Sequence, residues 1–173
     1  MDNKTFYALV IVCIITHVVR SVYEILKHKN KLKPDKLTFI IVFSNMLLLW
    51  MSWFALCSFD IYKIPMSGIA KLLGMLVTGI GMIVFLTGLF TIKTLVSYEG
   101  DLITKGIYSK IRHPMYLGFI LWLIGFPIFF GAIFSSALAL IFIANVLFWR
   151  YLEEKELIER FPSYIDYKKT TIF

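Results

Sequence analysis

The chain has 173 residues, of which 59% are hydrophobic, and its mean hydropathy is +0.79. These values are typical of membrane proteins rather than soluble domains, and the length fits one membrane domain, residues 1–173. The net charge of +7 does not indicate nucleic-acid binding, because the basic residues flank apolar runs instead of alternating with aromatic ones. We expect them to contact anionic membrane lipids. Cys13 and Cys57 lie within apolar runs without metal-ligand spacing, which predicts packing roles and no metal site.

Long apolar runs predict the membrane-spanning helices. They cover residues 5–26, 37–57, 69–92 and 116–149. The last run is too long for one span of about 20 residues, and Pro127 and Gly131 predict a turn that divides it into two helices. The first run is too long for a cleaved signal peptide. We therefore predict an all-α integral membrane protein with five transmembrane helices and a C-terminal helical tail.

Basic residues are concentrated in three segments of the chain. Residues 27–36, residues 93–115 and the tail from Arg150 carry five, four and five Lys or Arg, respectively. Five spans place these three segments on one side of the membrane and leave only three lysines on the other. Because cytoplasmic loops are rich in Lys and Arg, we predict an external N-terminus and a cytoplasmic C-terminus.

Small residues recur every seven positions at the start of the third run and within it, at Ser67, Gly74, Gly81 and Gly88. Seven residues are nearly two helical turns, so these positions share one face of the helix. Small side chains let a second helix approach closely in a membrane. The pattern predicts a packing seam, within the protein or between two copies of it, and the oligomeric state remains open.

A few polar residues lie inside the spans. His17 and Arg20 share a face of the first helix, and Arg20 is close enough to its end to anchor it at the interface, although a substrate-pocket role stays open. Asn45 and Asn145 are predicted to form interhelical hydrogen bonds. Asn145 precedes Glu153 by about two turns of the same helix and could instead line a pocket.

The most unusual segment is a polar island between the third and fourth spans. It combines Gly106, Tyr108, Arg112, His113, Pro114, Tyr116 and Gly118. Pro114 keeps His113 out of the helical region and suits the first turn of a helix, whose free amides with the adjacent cations favour an anionic group. Polar residues at membrane depth are costly unless they line a cavity or bind a ligand, so this island predicts a functional site.

A second polar segment follows the fifth span. The helix is predicted to continue through Phe161, with Glu153 and Glu154 within a turn of the membrane exit. A carboxylate there could hold a cationic ligand group or an Arg. Surface pairs at i,i+4, such as Arg150 with Glu154, are the structural alternative.

Together the two segments resemble the isoprenylcysteine carboxyl methyltransferase family, within a wider group that includes phospholipid N-methyltransferases. The similarity spans residues 102–167 and continues after Glu153 and Glu154 through Leu157, Phe161, Tyr164 and Tyr167. It implies a methyltransferase that binds S-adenosylmethionine between two cytoplasmic segments, residues 93–118 and 150–167. It further implies catalytic roles for Arg112 and Glu153. The cofactor-binding residues implied are Gly106, Tyr108, His113, Pro114, Tyr116, Gly118 and Glu154.

The resemblance leaves the methyl acceptor open. Carboxyl O-methylation of an isoprenylated cysteine, or of a similar lipidic acceptor that enters from the bilayer, is the favoured function. A phospholipid-amine or small-thiol methyltransferase would share the cofactor motifs but would need a proton acceptor. Membrane sterol reductases have a similar C-terminal part but more spans, and a non-catalytic membrane subunit would bind no cofactor.

Overall fold

The computed structural model describes residues 3–29, 31–32, 35–92 and 102–173. These residues form an α-helical bundle with one short 3-10 helix and no strands. The α-helices are α1 (Asn3–His28), α2 (Lys36–Phe59), α3 (Gly68–Ile92), α4 (Pro114–Phe130), α5 (Ile133–Arg160) and α6 (Tyr164–Thr170), and the 3-10 helix is Gly106–Ser109. Residues 93–101, the start of the first predicted cofactor segment, lie outside the described residues.

The predicted apolar helices are confirmed, and four of the five are long and apolar enough to span a membrane. By length and composition α1, α2, α3 and α5 can each cross a membrane, and α4 is a shorter apolar helix of 17 residues. Exposed aliphatic side chains cover the outer faces of the bundle, as expected for surfaces that contact lipid. The chain is therefore an all-α, multi-pass integral membrane protein.

The turn between α4 and α5 lies slightly later than Pro127 indicated. Pro127 falls within the last turn of α4, and Gly131, with φ of +66°, ends that helix in the left-handed conformation. A Cβ at Gly131 would lie 2.2 Å from the carbonyl oxygen of Ile64, so glycine is required there. Asp60 fixes the start of α5, since its carboxylate accepts hydrogen bonds from the backbone N–H and the hydroxyl of Ser135 at 2.7 and 2.8 Å.

The glycine seam of α3 is confirmed, and its partner is α4. A Cβ at Gly81 would lie 2.8 Å from the carbonyl oxygen of Gly118, and one at Gly74 would lie 2.8 Å from that of Gly125. The two backbones therefore touch along most of the length of α4. Ser67 lies before α3 and instead caps it, accepting a hydrogen bond from the backbone N–H of Ala70 at 3.2 Å.

Polar side chains inside the bundle connect α1 to its neighbours. Asn45 donates to the carbonyl oxygen of Thr16 at 3.0 Å, and Asn145 accepts from the hydroxyl of Ser21 at 2.8 Å. Both predicted interhelical hydrogen bonds are thus confirmed. Asn145 also contacts His17 at 3.1 Å, and the His17 ring stacks on Phe142 with ring centroids 3.7 Å apart.

Candidate active site

One cavity of about 630 Å³ lies between α1, α2, α3, α4 and α5 at the end of the bundle where α4 begins. We call this end of the bundle, marked by His28, Lys36, Ile92 and Pro114, the motif end. Here α2 and α3 border the cavity with partly exposed apolar side chains. Phe43 and Leu47 of α2 are each 41% exposed, and Met82 and Leu86 of α3 are 36% and 38% exposed.

The inner half of the cavity is apolar. Its wall is built of aromatic rings that pack edge to face: Trp50 lies 5.0 Å from Phe85 and 5.6 Å from Trp122, measured between ring centroids. Phe54 and Phe119 extend the same wall. Such a surface fits an apolar ligand of considerable length.

The outer half of the cavity carries the polar motif, which begins with a turn at Gly106. Gly106 has φ of +63°, a conformation that favours glycine, and it packs against Thr91 of α3. The 3-10 helix that follows buries Tyr108, which is 8% exposed and lines the cavity. The backbone carbonyl of Tyr108 accepts a hydrogen bond from the hydroxyl of Tyr167 at 2.5 Å, so the motif is joined to α6.

Arg112 connects the motif to the tail. Its guanidinium donates to the carbonyl oxygens of Lys168 and Thr171 at 3.1 and 2.5 Å and to Glu154 at 3.3 Å. The backbone around Arg112 also pairs with Ile172. Arg112 lines the cavity, yet its Nη1 holds the C-terminal segment in place.

His113 lies at the junction of the two motifs. It precedes α4 with φ of −125° and ψ of 63°, outside the helical region as Pro114 predicted. The ring is buried, with Nε2 3.3 Å from the hydroxyl of Tyr164 and 3.4 Å from Glu154, while Nδ1 is 4.0 Å from Glu153. This one imidazole therefore contacts both acidic residues and the tail.

The paired glutamates point in different directions, since successive residues on a helix are about 100° apart. Glu153 lines the cavity beside Tyr116 and is 36% exposed. Glu154 is only 9% exposed and forms an ion pair with Lys168 at 2.6 Å, besides its contacts with Arg112, His113 and Arg150. Glu153 is thus available to a ligand, and Glu154 holds the cluster together.

Three tyrosines of these segments remain protonated at neutral pH. Burial raises the pKa of the Tyr108, Tyr164 and Tyr167 hydroxyls above the usual value. Each phenol can therefore donate a hydrogen bond over the physiological range, and the tyrosines contribute no negative charge to the cavity.

Four of the predicted site residues lie off the cavity wall. Gly106 shapes the turn, Pro114 packs against Gly88 of α3, Gly118 packs against Gly81, and Glu154 pairs with cations. Their assignment to cofactor binding stays a prediction, and the structure gives each one a packing or pairing role. The residues that the structure does bring to the cavity are Tyr108, Arg112, His113, Tyr116 and Glu153.

The sequence did not predict that polar residues of α1 form one wall of the cavity. Arg20, Glu24 and Lys27 of α1 face inward and line it, and Arg20 pairs with Glu24, whereas the sequence favoured Arg20 as an interfacial anchor. Lys27 pairs with Glu156 of α5 at 3.0 Å. The sequence does contain an indication of this wall, because residues spaced four and then three apart lie on one face of a helix.

Comparison with known proteins places the chain in a family. The model of the isoprenylcysteine carboxyl methyltransferase family matches residues 69–159, which is just over half of the chain. The chain is 38% identical over 84 residues to "Protein-S-isoprenylcysteine O-methyltransferase" of Saccharomyces cerevisiae, covering 44% of this chain and 33% of the relative. It is 35% identical over 75 residues to the protein of the same name from Schizosaccharomyces pombe, covering 39% of this chain and 30% of the relative.

The matched regions span about a third of the length of these two relatives. No solved structure matches the chain significantly. The family match runs from the start of α3 almost to the end of α5, and so contains the glycine seam, the polar island and both glutamates. The chain belongs to the isoprenylcysteine carboxyl methyltransferase family.

Proposed function

We propose that this protein is a membrane-embedded, S-adenosylmethionine-dependent methyltransferase that methylates the carboxylate of an isoprenylated cysteine or a similar lipidic acceptor. The observation that carries the proposal is a single cavity with two chemically different halves. Its apolar half is bordered by partly exposed side chains of α2 and α3, and its polar half by both sequence motifs. An acceptor with a long apolar tail and a polar end requires such a combination.

The residues of the polar half fit the proposed cofactor. S-adenosylmethionine carries an amino group, a carboxylate and an adenosine, and it supplies a methyl group already activated on a sulfonium. Glu153, partly exposed in the cavity, can pair with the amino group. The buried ring of His113, 4.0 Å from that carboxylate, and the phenol of Tyr108 provide hydrogen bonds and an aromatic surface for the remainder.

Carboxyl methylation makes few chemical demands on the protein. The new bond joins a carboxylate oxygen to the methyl carbon, the methyl–sulfur bond breaks, and its electron pair stays on sulfur. A carboxylate at neutral pH has no proton to lose, so no general base is needed. The protein must align the two reactants and exclude water.

Two polar residues position other parts of the site. Arg112 and Glu154 hold the C-terminal segment against the start of α4, and so fix the position of His113. We therefore assign them as positioning residues. A direct contact of Arg112 with the reacting groups stays a prediction.

The membrane explains how such an acceptor would arrive. Phe43 and Leu47 of α2 and Met82 and Leu86 of α3 border the cavity from two helices and remain partly exposed. A prenyl chain could pass between α2 and α3 without crossing water. Because cytoplasmic loops are rich in Lys and Arg, we expect the motif end and the cofactor to face the cytoplasm.

Calorimetric binding of S-adenosylhomocysteine to the detergent-purified protein tests the cofactor assignment. We expect saturable binding in the parent and its loss in His113→Ala and Glu153→Ala. Glu159→Ala is the matched control, because Glu159 lies on the same helix, is exposed and does not line the cavity. A folded parent that binds no S-adenosylhomocysteine would contradict the proposal.

An acceptor screen then separates the possible methyl acceptors. The cofactor is offered with an N-acetylated S-farnesyl cysteine, a phospholipid amine and a small thiol. We expect a methyl ester on the first and no methylated amine or thioether. Methylation of the amine alone would favour a phospholipid-amine methyltransferase, and methylation of the thiol alone would favour a small-thiol methyltransferase.

A further inference from the structure

We propose that Arg20 of α1 binds the acceptor's carboxylate and thereby selects carboxylate acceptors. This inference rests on the proposed function. It concerns a helix that lies outside residues 69–159, the part of the chain that the family model matches.

The first argument is the position of Arg20 within the cavity. Its guanidinium lies 5.4 Å from the ring of Trp149 and 5.1 Å from that of Tyr23. It is also within electrostatic range of Tyr116 and Glu153. The ring of Trp149 lies 6.4 Å from that of Phe119 in the apolar wall, measured between centroids, so Arg20 is at the boundary between the aromatic half and the motif half of the cavity. An acceptor whose tail fills the aromatic half presents its carboxylate at this boundary.

The second argument concerns the other cations that line the cavity. Arg112 is committed to Glu154 and to two carbonyl oxygens of the C-terminal segment, and Lys27 is paired with Glu156 of α5. Arg160, the last residue of α5, also lines the cavity, and its guanidinium lies 5.2 Å from the ring of Phe161. Arg20 pairs with Glu24 of its own helix, and its Nε finds no hydrogen-bond partner among the described residues. Arg20 therefore lines the cavity and keeps one N–H donor, on a buried nitrogen, that no described residue satisfies.

The third argument is that Arg20 is held rigidly. Its side chain is 13% exposed, and the ring of Trp149 below it is fixed by a hydrogen bond to Ser21 at 2.9 Å. A planar guanidinium presents several donors in a fixed plane, which suits a carboxylate. The buried carboxylate of Glu24 neutralises Arg20 before the acceptor arrives, and the acceptor then competes with Glu24 for the same cation.

The test compares an acceptor that has a charged carboxylate with its methyl ester, in which that charge is absent. Binding of N-acetyl-S-farnesylcysteine and of its methyl ester is measured on the full chain in detergent, in the presence of S-adenosylhomocysteine. We expect the parent to bind the acid about 10- to 100-fold more tightly than the ester, the size of effect typical of a charge-assisted hydrogen bond. Arg20→Gln should abolish this preference, and Arg20→Lys should restore part of it.

Two further variants make the result specific. Lys27→Gln removes a cation from the same face of α1 nearer the helix end, and we expect it to keep the parent's preference. Glu24→Gln removes the competing carboxylate and should bind the acid several-fold more tightly. S-adenosylhomocysteine affinity, unchanged in Arg20→Gln, reports that the site remains folded.

The outcomes distinguish this inference from the proposed function. If Arg20→Gln keeps the preference for the acid, if Lys27→Gln loses it equally, or if the folded parent shows none, the role of Arg20 is overturned while the methyltransferase proposal stands. A parent that binds no S-adenosylhomocysteine overturns the proposed function, and this inference with it.

Discussion

The two sides of α3 differ sharply. Toward α4, glycines bring the two backbones into contact, with Gly81 and Gly118 facing each other. On the side that faces α2, the side chains of Met82 and Leu86 border the cavity. One face of α3 thus builds a rigid wall that holds the start of α4 in place, and the other leaves space for a ligand.

The largest expected effect comes from breaking the rigid side. Gly81→Leu places a side chain where even a Cβ would be 2.8 Å from a backbone oxygen, and backbone cannot move aside cheaply. We expect a loss of stability of more than about 3 kcal/mol, beyond ordinary overpacking. Thermal unfolding of the detergent-purified protein measures it.

Gly79→Leu is the matched control for this prediction. Gly79 lies on the same helix two residues away, and a Cβ there has nothing within 4 Å. We expect unfolding close to that of the parent. Equal destabilisation by the two substitutions would show that the seam is not what holds α3 to α4.

A smaller and more selective effect is expected on the cavity side. Leu86→Trp fills space between α2 and α3 and should weaken binding of the prenylated acceptor roughly 10-fold or more, as a lost apolar subsite does. Binding of S-adenosylhomocysteine and the unfolding temperature should stay near the parent values. Ile83→Trp, at a position that is 64% exposed and does not line the cavity, should leave acceptor binding intact.

The smallest effect concerns the tail that covers the polar half. Tyr167→Phe removes one hydrogen bond, to the carbonyl oxygen of Tyr108, and should cost about 1 kcal/mol of stability. Tyr151→Phe, at an exposed position of α5, is the control. Hydrogen exchange of the C-terminal segment should rise in the first variant only, and equal exchange in both would contradict the tail's attachment at this point.

The sequence predicted the helices and the seam well, because both depend on periodic features of the chain itself. It could not predict what the seam would meet. The family resemblance implied a cofactor role for Gly118, yet in the structure the absence of a side chain there serves the close approach of α3. Only the packing distinguishes these two uses of glycine.

The polar residues show the same limit. Helical spacing indicates that Arg20 and Glu24 share a face, but not whether that face meets lipid headgroups or the cavity. It likewise does not predict that Glu153 lines the cavity while Glu154 joins an ion-pair cluster with Lys168. Those differences depend on how α5 is rotated against α1 and α4, which tertiary packing decides.

The measurement that tests the central proposal most directly is product analysis by mass spectrometry. The purified protein is reconstituted in lipid vesicles with S-adenosylmethionine and N-acetyl-S-farnesylcysteine, with His113→Ala and the Glu159→Ala control assayed in parallel. We predict the methyl ester from the parent and from Glu159→Ala, and none from His113→Ala. A parent that binds the cofactor but leaves the carboxylate unmethylated would contradict the proposed reaction.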